Sequence, residues 1–440
     1  MSQKTGVYSG MYLRRVGNKP MPHILIIADD LTGAADAGAA FANAGWLTLI
    51  ILDPTAQAPE IDVPVISTES RDLVRKEAAA QVSRAVHQIK SEGKISYIYK
   101  KIDSTLRGHP EAELAAVMDA LGLEGALIAP AFPAQGRTTV GGHQLVDGAP
   151  VGHTPSGHEV PYSDLTAMFQ LPQMGAPARL IDLKRVRRGP DAICEILDPA
   201  RSEVVVADAE TDADLTAIAQ AGLRCSMRVW CGSAGLAQAL ADALPPPGCS
   251  AHHPAIHNRP DGPCLVVAGS RHPRTTHQVE VAQGWGASVV RPTPESLEGN
   301  AVAVERTVKR ASRRLADDEH VILTTADLSE SPLGSQAVAD ALAEIARRLV
   351  AEGRVGGLIL TGGDIAAAVC DALGGSALWL RGETQPGIAW GILLGGLLPG
   401  LPVVTKAGGF GTDEALAVAI RRLEDWKAGS LDSLNCQEEL

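Results

Sequence analysis

Short runs of β-branched and aliphatic residues recur along the chain. Each ends in a glycine-rich or polar turn and is followed by an alanine-rich stretch with helical spacing. A continuous apolar run bounded by turn residues reads as a strand buried on both faces. In the first half such runs predict strands at 24–28, 48–52, 63–67, 95–100, 125–129, 203–207 and 227–231, with helices such as 72–92 and 111–121 between them. The pattern breaks at 244–263, "LPPPGCSAHHPAIHNRPDGP", where Pro, Gly and polar residues show no periodicity. It then restarts, with strands at 264–268, 288–291, 320–324, 357–360 and 402–405 and helices at 301–315 and 336–352. Strands alternating with helices predict an α/β fold. It consists of two doubly wound, mainly parallel α/β domains, 21–245 and 262–427, joined by the Pro/Gly-rich linker. Residues 130–180 read as a long loop or a small hairpin, and 1–20 as a flexible extension before the first strand.

Two strand ends carry unusual chemistry. "HILIIADDLTGAADAG" (23–38) delivers Asp29 and Asp30 to the tip of a buried strand. Ligands of doubly wound sheets bind beyond the carboxyl ends of the strands. One aspartate can cap the following helix. A second carboxylate beside it calls for a hydroxyl, a cation or a metal. "KKIDSTLRGHPEAEL" (100–114) crowds Lys101, Asp103, Ser104, Thr105 and Arg107 into one turn, and "STESRDL" adds Arg71. Cations for a carboxylate and hydroxyls with Asp for sugar-like OH groups suit a small anionic, polyhydroxylated ligand. The plainer reading of this turn is a solvated loop with a Ser/Thr helix cap.

The second half carries glycine turns instead: "VVAGSRHPRT", "LILTGGDIAAAV" and "VVTKAGGFGTDEAL". Backbone N–H groups at such turns cradle phosphate, and the last turn adds Lys406. Neither GxxxxGK[ST] nor a GxGxxG after a strand is present, so a P-loop and a standard dinucleotide fingerprint are both missing. "WCGSAGLAQAL" lacks the G-x-S-x-G of a nucleophile elbow and reads as a turn in which Ser233 caps a helix. His143, His153, His158, His252, His253 and His257 lie in loops or the linker, without the spacing of a helix-borne metal site. No metal-ligating residue is singled out.

Composition narrows the classes. A net charge of −12 and 3% aromatic residues disfavour a general nucleic-acid binder. Seven cysteines without a CxxC pair suggest reduced thiols in a cytoplasmic enzyme rather than a disulfide framework. No apolar window approaches the length of a membrane span.

"IADDLTGAADAG", "KKIDSTLRG", "APAFPAQGRTT", "GSAGLAQAL", "LTGGDIA" and "TKAGGFG" together resemble the four-carbon acid sugar kinase family. The resemblance runs from Met21 to about Lys427. It implies an N-terminal sugar-acid domain, a C-terminal nucleotide domain, and ATP- and Mg2+-dependent phosphorylation of a four-carbon sugar acid at its terminal hydroxyl. D-Threonate or D-erythronate is the expected acceptor, and a 3-oxo-tetronate or another small aldonate the alternative. The family pattern puts the acid at Asp29, Asp30, Arg71, Lys101, Ile102, Asp103, Ser104, Thr105 and Arg107. It puts ATP at Ser270, at Thr361, Gly362, Gly363 and Asp364, and at Lys406, Ala407, Gly408 and Gly409. On this reading Lys101 and Arg71 hold the carboxylate, Asp29 or Asp30 is the base, and Asp364 is placed near Mg2+. The segment after "APAFPAQGRTT" departs from the family pattern by its extra histidines. The partners expected are the sugar acid and ATP, with no nucleic acid or membrane and a homodimer as default assembly. Two rival classes remain: a nicotinamide-dependent sugar-acid dehydrogenase, and a sugar-acid receptor without chemistry.

Overall fold

The computed structural model describes residues 24–56, 61–90, 95–154, 163–170, 178–197, 203–245, 254, 256, 259–270, 272–325 and 333–429, and the backbone alone at 15–16, 19–20 and 89–90. Most of the expected linker, most of the expected extension before Met21, and His158, His252, His253 and His257 lie outside these residues. Contacts divide the chain into two units: Met1–Leu49 with Pro54–Ser250, and Ile50–Asp53 with Ala251–Leu440.

The first unit is built on strands β1 (Ile24–Ala28), the first two residues of β2 (Thr48–Ile51), β3 (Val63–Ser67), β4 (Tyr97–Lys101) and β5 (Ala126–Ala129). β6 (Arg137–Val140), β7 (His143–Val146) and β8 (Ala149–Pro150) form a separate antiparallel sheet. β9 (Arg179–Ile181), β10 (Val204–Ala207) and β11 (Val229–Gly232) complete the main sheet. Its order is β9-β10-β5-β11-β4-β1-β3-β2, and every pair from β9 to β3 is parallel. The interior strands are apolar runs with no alternation because helices cover both faces. All of β1, ILIIA, is buried. The expected strands recur with ends shifted by one or two residues, and the small hairpin between 130 and 180 is the sheet of β6 to β8.

Register makes the site. Ala28 of β1 pairs with Ser67 of β3 on one side and Lys101 of β4 on the other. Three parallel strands therefore stop at one level, and Asp29, Thr68 and Ile102 open three adjacent loops. Helix α1 (Leu31–Asn43) follows β1 and is buried on all sides from Leu31 to Phe41. Its glycines and alanines permit that close packing. Helices α2 (Arg75–Lys90) and α3 (Pro110–Leu121) pack on each other. α4 (Asp212–Arg224) packs on α5 (Ala234–Ala243), where Ser233 is the N-cap as expected.

The second unit holds β12 (Cys264–Ala268), β13 (Ser288–Val290), β14 (Val321–Thr324), β15 (Gly357–Thr361), β16 (Gly375–Gln385), β17 (Ile388–Gly395) and β18 (Pro402–Lys406). The order is β16-β17-β18-β15-β12-β14-β13. From β18 to β13 the pairs are parallel, while β16, β17 and β18 pair antiparallel. The long β16–β17 hairpin was not expected. Gly382, Gly391 and Gly395 break its alternation, although Pro386-Gly387, with Gly387 at φ 78°, is a legible two-residue turn. Here too register aligns the strand ends: Thr361 pairs with Ala268 and with Lys406. Helices α6 (Pro273–Gly284), α7 (Ala301–Ala316), α8 (Ser335–Ala351), α9 (Gly363–Ala372) and α10 (Ala415–Lys427) cover the sheet. No described helix is long and apolar enough to cross a membrane.

Candidate active site

The two aspartates at the end of β1 take different roles. Asp30 is the N-cap of α1, accepting the Gly33 N–H at 2.8 Å and the Thr32 hydroxyl at 2.6 Å. Asp29 makes no cap bond. Arg71 reaches both: Nε donates to Asp29 at 2.7 Å and Nη1 to Asp30 at 2.6 Å, while Nη2 lies 3.0 Å and 2.8 Å from them. One planar guanidinium thus binds two carboxylates, a geometry lysine cannot supply. Burial by itself raises the Asp29 carboxyl; Arg71, aided by Lys100 and Lys101, reverses this and holds it below the ordinary value.

The Arg71 loop is fixed from beneath. Asp29 O accepts the Ser70 N–H, and the Ser70 hydroxyl donates to Glu113 Oε1 at 2.9 Å. Glu113 Oε2 lies 2.7 Å from Lys100 Nζ, both side chains being buried. A buried pair of this kind is weak evidence for stability. Here it ties β4 and α3 to the loop that aims Arg71. Lys101, next along the strand, is buried and donates only to Ile102 O, at 3.1 Å, among the described residues. A Cβ on Gly33 would lie 2.5 Å from Asp30 Oδ1 and 3.1 Å from Lys101 Nζ, so α1 brings backbone close to both charges.

Asp103 accepts from Thr105 Oγ1 and Arg107 Nε, each at 2.5 Å. Burial raises its carboxyl, and Arg107 and Arg71 outweigh that to leave it well below the usual range. Ser104 and Thr105 are buried in this turn, and Arg107 stands at its rim. Ile102 belongs to the apolar core beneath.

Two residues outside the expected set join this cluster. Gln144 on β7 is buried, takes the Thr139 hydroxyl at 2.7 Å, and donates Nε2 to Ser104 O at 2.8 Å. His143 is exposed, with its ring 3.4 Å from the Ser163 hydroxyl. Glu69 has a left-handed backbone, φ 46°, and accepts from the Ser67 hydroxyl. Its edge is open to solvent, yet crowding by the protein, with Asp30 and Asp29 nearby, pushes its carboxyl up to about 8. Nothing in "STESRDL" marks Glu69 for this conformation, which a residue other than glycine adopts only uncommonly.

The second unit's strand ends are lined differently. Gly269 and Ser270 follow β12, Gly362 and Gly363 follow β15, and Ala407 and Gly408 follow β18. A Cβ on Gly408 would sit 2.3 Å from Ser270 Oγ, so these two turns touch. Gly362, at φ 105°, is the N-cap of α9, and Asp364 lies in its first turn. Thr361 Oγ1 is buried with no hydrogen-bond partner among the described residues. Thr275 and Gln278 of α6 donate to the carbonyls of Gly408 and of Phe410 and Thr412. Lys406 is buried, and its Nζ meets loop carbonyls.

Residues 24–240 match the model of a sugar-binding N-terminal domain, and 265–416 that of a nucleotide-binding C-terminal domain. The D-threonate kinase of Salmonella typhimurium is 35% identical, the match covering 92% of this chain and 99% of that one. The chain belongs to the four-carbon acid sugar kinase family. The D-erythronate kinase of Heliobacterium modesticaldum is 31% identical over 91% of this chain and 97% of its own. A 3-oxo-tetronate kinase of Methylobacterium radiotolerans is 31% identical over 82% and 90%. The fold is that of a Salmonella typhimurium crystal structure at TM-score 0.76 and 22% identity, covering 91% of this chain and all of that one. The dehydrogenase and receptor readings have no support from these matches.

Proposed function

We propose that this acid-sugar kinase transfers the γ-phosphoryl group of ATP to the terminal (4-)hydroxyl of D-threonate, in the cytoplasm. One observation carries the acid-sugar half: a buried ammonium, Lys101, with donors to spare beside two carboxylates braced by Arg71. An isolated buried cation is costly, and a carboxylate ligand relieves that cost. Lys101 takes the substrate carboxylate and Arg71 shares that field while fixing Asp29 and Asp30. Asp30, already a helix cap, has oxygens committed to Thr32 and Gly33. Asp29, which meets only Arg71 by its side chain among the described residues, orients the attacking hydroxyl and receives its proton. Such transfer needs alignment and charge stabilisation more than a strong base, so a carboxylate below its ordinary range suffices. Asp103, Ser104, Thr105 and Arg107 line the remaining edge, with Ile102 as floor.

ATP occupies the strand ends of the second unit, with Ser270, Thr361 and the amides after β15 and β18 at its phosphates. Among the described residues no group of three or more His, Cys, Asp or Glu is placed to hold a metal. A single carboxylate, Asp364 in the first turn of α9, suits Mg2+ held mainly by the ATP phosphates and water. When bound, the ion neutralises phosphate charge. The preference for D-threonate rests on relatives at 34–35% identity that carry that name, against 31% for the D-erythronate kinase.

The test is ADP release with Mg-ATP across D- and L-threonate, D- and L-erythronate, 3-oxo-tetronates and longer aldonates. The largest kcat/KM is expected with D-threonate. A larger value with D-erythronate moves the substrate and keeps the reaction; silence throughout, despite ATP binding, overturns the acceptor class.

A further inference from the structure

We infer that Lys406 is a positioning residue: its ammonium draws the carbonyls of the Ala407–Gly411 loop inward, so that the loop's glycine N–H groups face outward as a phosphate cradle. The inference rests on the reading of this loop as part of the ATP site. Lys406 Nζ lies 3.0 Å from Ala407 O, 2.9 Å from Gly408 O and 3.2 Å from Phe410 O. An ammonium has three donors, so these carbonyls use all of them and leave none for a phosphate. In a trans peptide the N–H points opposite to the C=O. Carbonyls of 407, 408 and 410 turned toward Nζ therefore turn the N–H groups of Gly408, Gly409 and Gly411 away from it. None of these three N–H groups donates a hydrogen bond among the described residues.

The loop is pinned from α6 in the same sense. Thr275 Oγ1 donates to Gly408 O at 2.8 Å, Gln278 Nε2 to Phe410 O at 3.0 Å and Thr412 O at 2.8 Å, and Arg274 Nη1 to Gly411 O at 3.3 Å. Every described contact to the loop's carbonyls comes from a donor of the protein, while its outward amides are left for an acceptor from outside. A concave run of unpaired N–H groups is an anion nest. Buried lysine is an expensive way to shape a loop, and burial, with Arg274 of α6 facing it, pushes the ammonium down to about 7. A bound phosphate on the far side of the loop favours the charged form, so nucleotide binding draws a proton onto Lys406 above neutral pH.

The test uses the full chain and ADP. Calorimetry in buffers of different ionisation enthalpy is expected to show proton uptake on ADP binding to the wild type near pH 8. The ADP dissociation constant is expected to rise about tenfold from pH 6.5 to 8.5. Lys406→Met should weaken ADP at least about tenfold, abolish the proton uptake, and leave KM for the sugar acid unchanged. Lys406→Arg, always charged, should restore binding and flatten the pH profile. A Lys406→Met protein that binds ADP like the wild type overturns the inference while the nucleotide reading stands. A wild type that binds no ADP overturns that reading and the inference with it. If Lys406→Met does not fold, the wild type decides alone: equal ADP affinity at pH 6.5 and 8.5 overturns the inference.

Discussion

The two units solve one geometric problem with different materials. In each, parallel strands in register stop at a common level and small residues let a helix or turn come close. The first unit fills that edge with side chains: Asp29, Asp30, Arg71, Lys101 and Asp103, each buried or braced. The second fills it with main chain, as glycine amides at Gly363, Gly408 and Gly409, and its buried Lys406 turns inward. A sugar acid presents hydroxyls and one carboxylate at set positions, which side chains discriminate. A polyphosphate presents many equivalent oxygens, for which repeated N–H groups suffice.

The largest effect that would break this contrast is expected at Arg71. Arg71→Met leaves two adjacent buried carboxylates without their cation, which should cost about 3–5 kcal/mol of stability and roughly 100-fold or more in turnover. Urea unfolding and steady-state kinetics measure both, and near-wild-type values would show that the carboxylates do not depend on it. A crossed pair sharpens the contrast next. Gly33→Ala, pressing on Asp30, should raise KM for the sugar acid about tenfold and spare KM for ATP. Gly408→Ala, pressing on Ser270, should do the reverse. If both variants move both constants equally, the division of labour fails. Smaller still, Gln144→Leu removes the hold on Ser104 O and should raise KM for the sugar acid about threefold to fivefold, with KM for ATP steady.

The smallest effect concerns pH and stability. The Lys406 value in the folded chain, about 7, lies below that of an unfolded lysine. The unfolded chain therefore binds more protons between the two values, and stability rises with pH across that window. A thermal melt should shift upward by about 2 °C from pH 7 to 9, and Lys406→Met should remove that slope. Stability and ADP affinity then move in opposite directions with pH, which a simple charge effect on the whole surface would not produce.

Much of this was legible in the sequence. Apolar runs located the main strands because buried parallel strands need no alternation, and the paired aspartates announced a site because only one can cap α1. The β16–β17 hairpin was obscured because glycines interrupt its pattern. Gln144 and Glu69 were missed for another reason. What distinguishes them is a hydrogen bond across the fold and a left-handed φ, and neither leaves a periodic trace. The inward turn of Lys406 was equally hidden, since a lysine beside glycines reads first as a phosphate ligand.

Lys100 and Lys101 carry a consequence for how this family can vary. They are identical neighbours on β4, yet strand geometry sends them to opposite faces, one to Glu113 and one toward Gly33. A one-residue slip of the strand would still put a lysine at one of the two stations, but a different residue at the other. The doublet thus fixes the register of β4 against the elements on its two faces. An insertion in β4 would therefore move one lysine off its station and carry the Asp103–Arg107 turn with it, so the length of the strand is what this site holds constant.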